Sequence, residues 1–169
     1  KLFVSSLRKE VEELMKNNVR FTVIGDMDRF NQQIQNELID AIHKTKNNSG
    51  LNLNLALSYG SRQEILHATK KWVEKAILGE IEINDIDEDL FSQMLNTEDI
   101  TDPDLLIRTG GEFRVSNFLL WQIAYTEIHI TDRYWPEFDK QDLMNAINDY
   151  QNRERRFGKI NAKAQVNND

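Results

Sequence analysis

The strongest constraint on the fold is a change of hydrophobic period along the chain. Leu51, Leu53, Leu55 and Leu57 alternate with polar or small residues, which is the period of two typical of a β-strand. On either side of this run, apolar residues recur at three and four positions, the spacing of an amphipathic helix. Strands that alternate with helices in this way predict an α/β fold with a parallel sheet.

The same patterns predict the other elements. We expect strands at 20–24, 51–58, 104–108 and 127–131. We expect helices at 3–15 and 30–42, from 61 to Gly79, from Asp85 to a break at Asp102-Pro103, at 118–123, and from 139 to about 158. Residues with helix-cap spacing precede three of these helices: Ser61 with Glu64, Asp85 with Glu88, and Ser116 or Asn117. The predicted fold class is α/β, with a mostly parallel central sheet and helices on both faces. Residues 1–160 are predicted to form a single domain and residues 161–169 a disordered tail.

Composition excludes several kinds of protein. The 169 residues include no cysteine, so disulfides, thiolate metal sites and a cysteine nucleophile are excluded. The net charge of -7 argues against nucleic acid as a partner. No apolar run approaches the roughly 20 residues of a membrane span, and the first residues do not have the pattern of a secretory leader. We therefore expect a cytoplasmic protein.

The charged residues are unevenly distributed. Residues 76–107 include ten acidic side chains and no basic one. Arg108 and Arg114 follow directly, in a glycine-containing segment between a predicted strand and a predicted helix, which is where open α/β sheets bind ligands. Two guanidinium groups can hold phosphate oxygens in pairs, and Ser116 can donate a further hydrogen bond. The alternative is that both arginines only neutralise Glu112 and the acidic segment before them.

Other polar residues are weaker candidates. Glu127 begins the next predicted strand, and Mg²⁺ is commonly bound by one or two carboxylates together with substrate phosphates. Considered alone, a surface or arginine-paired carboxylate is the commoner interpretation. The acidic group from Asp85 to Asp89 has the position of helix-start residues. His43, His67 and His129 do not have the spacing of a metal site or a catalytic triad.

The segment 106–122, LIRTGGEFRVSNFLLWQ, resembles the central motif of the cis-prenyltransferases, above all of bacterial undecaprenyl diphosphate synthases. The likeness continues in WPEF at 135–138 and RERRFG at 153–158, and upstream in NVR at 18–20, IGD at 24–26 and SYGSR at 58–62. It therefore covers nearly the whole chain, and it implies the α/β fold of that family.

The resemblance implies an enzyme that adds isopentenyl diphosphate to an allylic diphosphate, usually farnesyl diphosphate, with a new cis double bond at each addition. The product would be a long polyprenyl diphosphate such as undecaprenyl diphosphate, the lipid carrier precursor for cell-wall synthesis. Arg108, Arg114 and Ser116 would hold the isopentenyl diphosphate headgroup, with a backbone contact from Val115. Mg²⁺ would be the cofactor and Glu127 a ligand to it.

The family resemblance also implies a homodimer and peripheral membrane association for product release. Arg156 and Gly158 match a family tail motif that completes the active site of the other subunit. Chains of this family begin with a strand and a phosphate-binding loop that carry the catalytic aspartate and asparagine, and no segment of this sequence matches them. We therefore expect a chain with the isopentenyl half of the site and without the allylic half, whose catalytic residues are unknown.

Two further points follow from the resemblance. The alternative function is a catalytically inactive fragment or an accessory subunit that retains only the isopentenyl diphosphate half-site. In addition, relatives often have asparagine, glycine and tryptophan where this sequence has Ser58, Ser61 and Gln63.

Overall fold

The structure, a computed structural model, describes the backbone of residues 2–153 and the side chains of Leu7 and residues 9–153. The chain divides into two compact units, Lys1–Thr101 and Asp102–Asp169. Predictions about residues 154–169, including the tail at 161–169, concern residues outside the described part. Whether residues 1–160 act as one domain remains a prediction.

The first unit contains two parallel strands and four α-helices. In chain order they are α1 (Leu2–Lys16), β1 (Arg20–Gly25), α2 (Gln32–Thr45), β2 (Asn52–Leu57), α3 (Ser61–Ile77) and α4 (Glu88–Ser92). Strand β1 pairs with β2 in parallel, with Phe21 opposite Leu53. Helices α1 and α2 both contact β1, as expected for a strand with helical crossovers on either side of it in sequence.

The core of this unit is built from the apolar faces that the periodicity predicts. Leu7 and Val11 of α1, Phe21 of β1, and Leu38 and Ala41 of α2 form one buried cluster. Phe21 is only 1% exposed, so its aromatic side chain contributes its full burial to stability.

The second unit contains β3 (Leu105–Arg108), β4 (Glu127–Ile130) and α5 (Lys140–Gln151). Strands β3 and β4 are parallel, with Leu106 opposite Ile128 and Arg108 opposite Ile130. Asp139 begins α5 with a full capping box, since it accepts from the Gln141 and Asp142 amides while Asp142 accepts from the Asp139 amide. The four predicted strands, their parallel pairing and the α/β class are thus confirmed.

Several predicted helix ends are wrong. The helix predicted at 118–123 is absent from the described residues: residues 116–125 are turns and bends, and Ser116, Asn117 and Leu119 have left-handed φ values of 48°, 62° and 45°. Three left-handed residues interrupt the regular hydrogen bonding that a helix needs. Helix α5 ends at Gln151 rather than near residue 158, with Asn152 as its C-cap.

The predicted caps of α3 and α4 also need correction. The N-cap of α3 is Gly60, which has no side chain, and Ser61 is a fully buried residue of the first turn. Glu64 does not complete a capping box but accepts from the Tyr59 hydroxyl at 2.5 Å and from the Asn96 amide at 2.8 Å. Helix α4 is capped by Asp87, whose carboxylate accepts from the Leu90 amide at 2.8 Å, rather than by Asp85.

Thr45 provides a test of how β1 is attached to α2. Its hydroxyl, fully buried, accepts from the Phe21 amide at 3.0 Å and donates to the Ala41 carbonyl at 2.9 Å. We expect Thr45→Val to lower the free energy of unfolding by about 2 kcal/mol, because the buried Phe21 N–H loses its acceptor. Urea unfolding of the purified chain measures this change.

Two controls isolate the hydroxyl. Thr45→Ser keeps the acceptor and loses one methyl group, so it should cost only about 1 kcal/mol. Thr69→Val removes an equivalent hydroxyl, which donates to the Ile65 carbonyl at the exposed face of α3, and should have little effect. A larger loss for the serine variant than for Thr45→Val would contradict this account.

Candidate functional site

One face of the β3–β4 pair lines a cavity of about 500 Å³. Because side chains alternate along a strand, Leu106 and Arg108 share a face of β3, and their register partners Ile128 and Ile130 share the same face of β4. The loop after β3 lines the rest of the cavity, with Glu112, Phe113, Arg114, Val115 and Ser116. The cavity therefore combines aliphatic strand side chains with two guanidinium groups.

The four substrate-binding residues predicted from sequence, Arg108, Arg114, Val115 and Ser116, all line this cavity. Arg108 ends β3 and is half-buried, and its Nε atom is buried with no hydrogen-bond partner. No ion pair joins the Arg108 guanidinium to any residue within the described range 2–153. A desolvated N–H group without an acceptor is costly, so this position favours an anionic ligand.

Arg114 is largely exposed at the rim of the cavity, with 64% of its side chain accessible. It is ion-paired with Glu112, the neutralising role that the alternative interpretation assigned to it. An exposed pair of this kind contributes little to stability, so Arg114 can exchange Glu112 for another anion at small cost. Ser116 is exposed beside it, so its hydroxyl is accessible from the cavity.

The two glycines of the loop after β3 use their backbone amides within the protein. Gly110 and Gly111 have φ values of +79° and +65°, which favour glycine. Their amides do not point to a ligand: Gly110 N donates to the Arg133 carbonyl at 2.8 Å and Gly111 N to the Thr131 carbonyl at 2.9 Å. The glycines therefore hold the loop against the segment after β4. With no helix at 118–123, no helix N-terminus is available there to an anion in the cavity.

Glu127, the predicted metal ligand, does not line this cavity. It is at the start of β4, on the face opposite to Ile128, and its Oε2 accepts from Arg153 Nη1 at 2.9 Å. Both side chains are 30% exposed. The structure therefore brings the four substrate-binding candidates together and places Glu127 elsewhere. Arg156 and Gly158 lie outside the described residues.

Arg153 is at the centre of a network that the sequence analysis missed. Besides Glu127, Arg153 donates to the Ile128 carbonyl at 2.9 Å and to Asp149 Oδ2 at 2.6 Å. The same Asp149 oxygen is 2.8 Å from His129 Nδ1. The i,i+4 spacing of Asp149 and Arg153, and the shared strand face of Glu127 and His129, were the available sequence clues.

The network perturbs two titrating groups. The hydrogen bond from His129, followed by that from Arg153, lowers the pKa of Asp149 below its ordinary value. Hydrogen bonds to Glu127 and then Asp149 raise the pKa of Arg153, which stays charged at any physiological pH. The Asp149 carboxylate is thus ionised, and so able to hold the Arg153 guanidinium.

A Mg²⁺ ion could use only part of this arrangement. The hard oxygen atoms of Glu127 are suitable donors, and Oε1 has no hydrogen bond or ion pair with the described side chains of Leu7 and residues 9–153. No group of three or more His, Cys, Asp or Glu side chains suitable for a metal occurs in the described range. Glu127 could therefore supply only a single oxygen ligand to a metal ion.

A second cavity, of about 310 Å³, lies at the carboxyl ends of β1 and β2. It is lined by Asp26, Gln63 and His67 among others. Ser58, also in its lining, has a left-handed φ of 50°, a conformation that asparagine adopts more readily than serine. The three residues that depart from the family pattern thus lie at or beside this cavity.

Comparison with known proteins identifies the family. The family model described as "Putative undecaprenyl diphosphate synthase" matches residues 1–158. The (2E,6E)-farnesyl-diphosphate specific ditrans,polycis-undecaprenyl-diphosphate synthase of Vibrio cholerae is 48% identical over 157 residues, which cover 93% of this chain and 63% of that protein. The enzyme of the same description from Escherichia coli is 46% identical, with coverage of 93% and 62%.

Two solved structures of similar enzymes have the same fold as this chain. Lavandulyl diphosphate synthase from Lavandula x intermedia, in complex with dimethylallyl diphosphate, superposes with a TM-score of 0.88 at 38% identity and covers 92% of this chain and 68% of that one. A "probable undecaprenyl diphosphate synthase" from Campylobacter jejuni gives a TM-score of 0.81 at 37% identity, with coverage of 94% and 72%. The chain spans somewhat less than two thirds of the length of the curated relatives. In the described part, no helix is long and apolar enough to span a membrane.

The close contact at Gly111 yields one prediction. A Cβ atom at Gly111 would lie 2.8 Å from Asp132 Oδ1, whereas at Gly79, which has a similar φ of +71°, nothing lies within 4 Å. Gly79→Ala should therefore cost about 1 kcal/mol from backbone strain alone. Gly111→Ala should cost only slightly more, because Asp132 is exposed and its carboxylate can rotate away from the new methyl group. Urea unfolding of both variants measures the difference, and Asp132→Ala in the Gly111→Ala background should remove most of it.

The Asp149 network yields another prediction. We expect His129→Phe to raise the pKa of Asp149 toward its ordinary value, because the largest cause of the lowering is removed. Carboxyl ¹³C NMR titration measures this pKa, and His67→Phe, at an exposed histidine of α3, is the control. Because the folded pKa is lowered, the contribution of Asp149 to stability is present above the ordinary pKa and lost as pH falls through the folded one. An unchanged Asp149 pKa in His129→Phe would contradict this assignment.

Proposed function

Because the chain belongs to the undecaprenyl diphosphate synthase family, we propose that the complete protein is a cis-prenyltransferase. It condenses isopentenyl diphosphate stepwise with an allylic diphosphate, farnesyl diphosphate, and forms undecaprenyl diphosphate as the precursor of a cell-wall lipid carrier. The observation that carries this proposal within the structure is the desolvated and unpartnered Arg108 Nε in a cavity with aliphatic walls.

The cavity suits isopentenyl diphosphate because it is amphiphilic. Arg108 and Arg114 supply planar pairs of N–H donors for the diphosphate, and Ser116 supplies a hydroxyl donor. Leu106, Ile128 and Ile130 offer aliphatic surface to the five-carbon chain. A ligand with charge at one end and a short hydrocarbon at the other matches both parts.

The role of the cavity residues is to bind and orient isopentenyl diphosphate. The π-electrons of the isopentenyl double bond form a new carbon–carbon bond to the allylic carbon, the allylic diphosphate leaves with the electrons of its carbon–oxygen bond, and a proton is then lost. Arg108 and Arg114 hold the isopentenyl diphosphate, which does not leave, so their contribution is the fixed position of the attacking double bond.

We propose Mg²⁺ as the cofactor, with Glu127 as its protein ligand in this chain. When bound, the ion stabilises negative charge on diphosphate oxygens. The remaining features follow the family: a homodimer in which Arg156 and Gly158 complete the site of the other subunit, a cytoplasmic location, and peripheral membrane association for product release.

Arg114 tests the substrate assignment. Arg114→Ala should weaken the binding of isopentenyl diphosphate to the 169-residue chain by about tenfold or more, because a pair of charge-assisted hydrogen bonds is lost. Isothermal titration calorimetry with isopentenyl diphosphate measures the dissociation constant. Arg114→Lys, which keeps the charge and loses the planar pair of donors, should lie between the wild type and Arg114→Ala.

Lys75→Ala is the matched control, since Lys75 is an exposed cation paired with a carboxylate, Glu80, in the first unit. Equal affinities for the wild type and Arg114→Ala would remove Arg114 from the site. Incorporation of labelled isopentenyl diphosphate into long products tests the activity. Binding without any incorporation would favour the alternative, a chain that holds only the isopentenyl diphosphate half-site.

A further inference from the structure

Phe113 is an exposed aromatic side chain in the lining of the cavity beside β3 and β4. It lies in the loop after β3, between the charged residues Glu112 and Arg114, and it is 85% exposed. No other large apolar side chain in the described part of the chain is as exposed. A single exposed apolar residue is ordinary on a protein surface, but this one borders a cavity that already has an apolar wall. Its aromatic surface is therefore available to a ligand in that cavity.

The apolar part of the cavity has two components. The first is a set of strand side chains, whose positions are fixed by the register of β3 and β4: Leu106, Ile128 and Ile130. The second is Phe113, from a loop whose backbone is anchored at its start by the amide hydrogen bonds of Gly110 and Gly111. Ile128 is 42% exposed, so the strand side of the cavity is also open to solvent. Both components therefore have apolar surface that a ligand can cover.

The charged part of the cavity gives isopentenyl diphosphate no advantage over inorganic pyrophosphate. Arg108, Arg114 and Ser116 offer donors to phosphate oxygens, and both ligands carry those oxygens. In the proposed reaction, pyrophosphate is released at each condensation, so it competes with the next isopentenyl diphosphate. A preference for the substrate must come from apolar surface that contacts its five-carbon chain.

We propose that Phe113 packs against this chain and so determines the selection of a diphosphate that carries a hydrocarbon over free pyrophosphate. The inference rests on the proposed binding of isopentenyl diphosphate in the cavity. Phe113 is in this case a specificity-determining residue, which contacts the substrate but takes no part in the transfer of electrons or protons.

A contact with part of the aromatic ring is sufficient for a measurable preference. A tenfold difference in dissociation constant is about 1.4 kcal/mol. At about 25 cal/mol per Å², this corresponds to about 55 Å² of apolar surface removed from water. A fully buried aromatic side chain removes about 150–250 Å². Because Phe113 has little burial in the free chain, most of its surface remains to be covered on binding.

The experiment compares two ligands on the same variants. Isothermal titration calorimetry measures the dissociation constants of isopentenyl diphosphate and of inorganic pyrophosphate for the 169-residue chain. Phe113→Ala should weaken the binding of isopentenyl diphosphate by about tenfold and change that of pyrophosphate by less than about twofold. Titrations at several temperatures should also give a less negative heat-capacity change for isopentenyl diphosphate in the variant, because less apolar surface is buried.

Two further variants serve as controls. Phe113→Leu keeps a smaller apolar side chain, so its affinity for isopentenyl diphosphate should lie between those of the wild type and Phe113→Ala. Tyr125→Ala removes an aromatic side chain of the same unit that is 78% exposed and does not line the cavity, so it should leave both affinities unchanged. Phe113 is outside the buried core, so its variants should fold, which circular dichroism checks.

The outcomes separate the inference from the proposed function. If Phe113→Ala weakens both ligands equally, Phe113 acts on the diphosphate or on the loop, and the inference is overturned. Unchanged affinities in Phe113→Ala overturn it as well. In both cases, a loss of isopentenyl diphosphate binding in Arg114→Ala leaves the proposed function standing. If the wild type binds neither ligand, the inference and the proposed function fail together.

Discussion

The parallel register of β3 and β4 determines which side chains of the second unit can act together. It places Arg108 opposite Ile130 and Leu106 opposite Ile128, so one face carries aliphatic groups and a guanidinium. Glu127 and His129 alternate with these residues and face the other way, toward α5. A shift by one residue would exchange the two faces, remove Arg108 from the cavity and separate Glu127 from Arg153. The positions of these side chains thus depend first on the pairing of the two strands, and only then on the loops.

The loop after β3 depends on the same strands. Hydrogen bonds from the Gly110 and Gly111 amides to the segment 131–133 hold the loop in place. Arg114 therefore extends from a loop whose backbone is anchored. Because those two amides are already used, they are not available to an anion in the cavity. Side-chain donors can exchange partners, as Arg114 can exchange Glu112, whereas backbone donors in a hydrogen-bonded turn cannot.

Sequence alone predicted what depends on local pattern. The period-two run at 51–57, the start of the last helix at Asp139, and the clustering of Arg108, Arg114 and Ser116 all follow from neighbours in the chain. The helix at 118–123 was wrong because its apolar spacing is helical while residues 116, 117 and 119 adopt left-handed backbone, which spacing does not encode. The Arg153–Glu127 pair joins residues 26 positions apart, so it could be found only once β4 and α5 were placed together.

Arg108 and Arg153 are the same type of residue, but they differ in their partners and lie on opposite faces of one strand pair. Arg153 has acceptors from Glu127, Ile128 and Asp149, so its charge is compensated and it acts as a rigid part of the protein. Arg108 has a buried donor without an acceptor, and leaving such a group unsatisfied costs about 1–3 kcal/mol in the free chain. If the cavity binds a diphosphate as proposed, an acceptor supplied by the ligand would remove this cost on binding. In a chain with a net charge of -7, which repels anions at long range, such a local arrangement would favour binding.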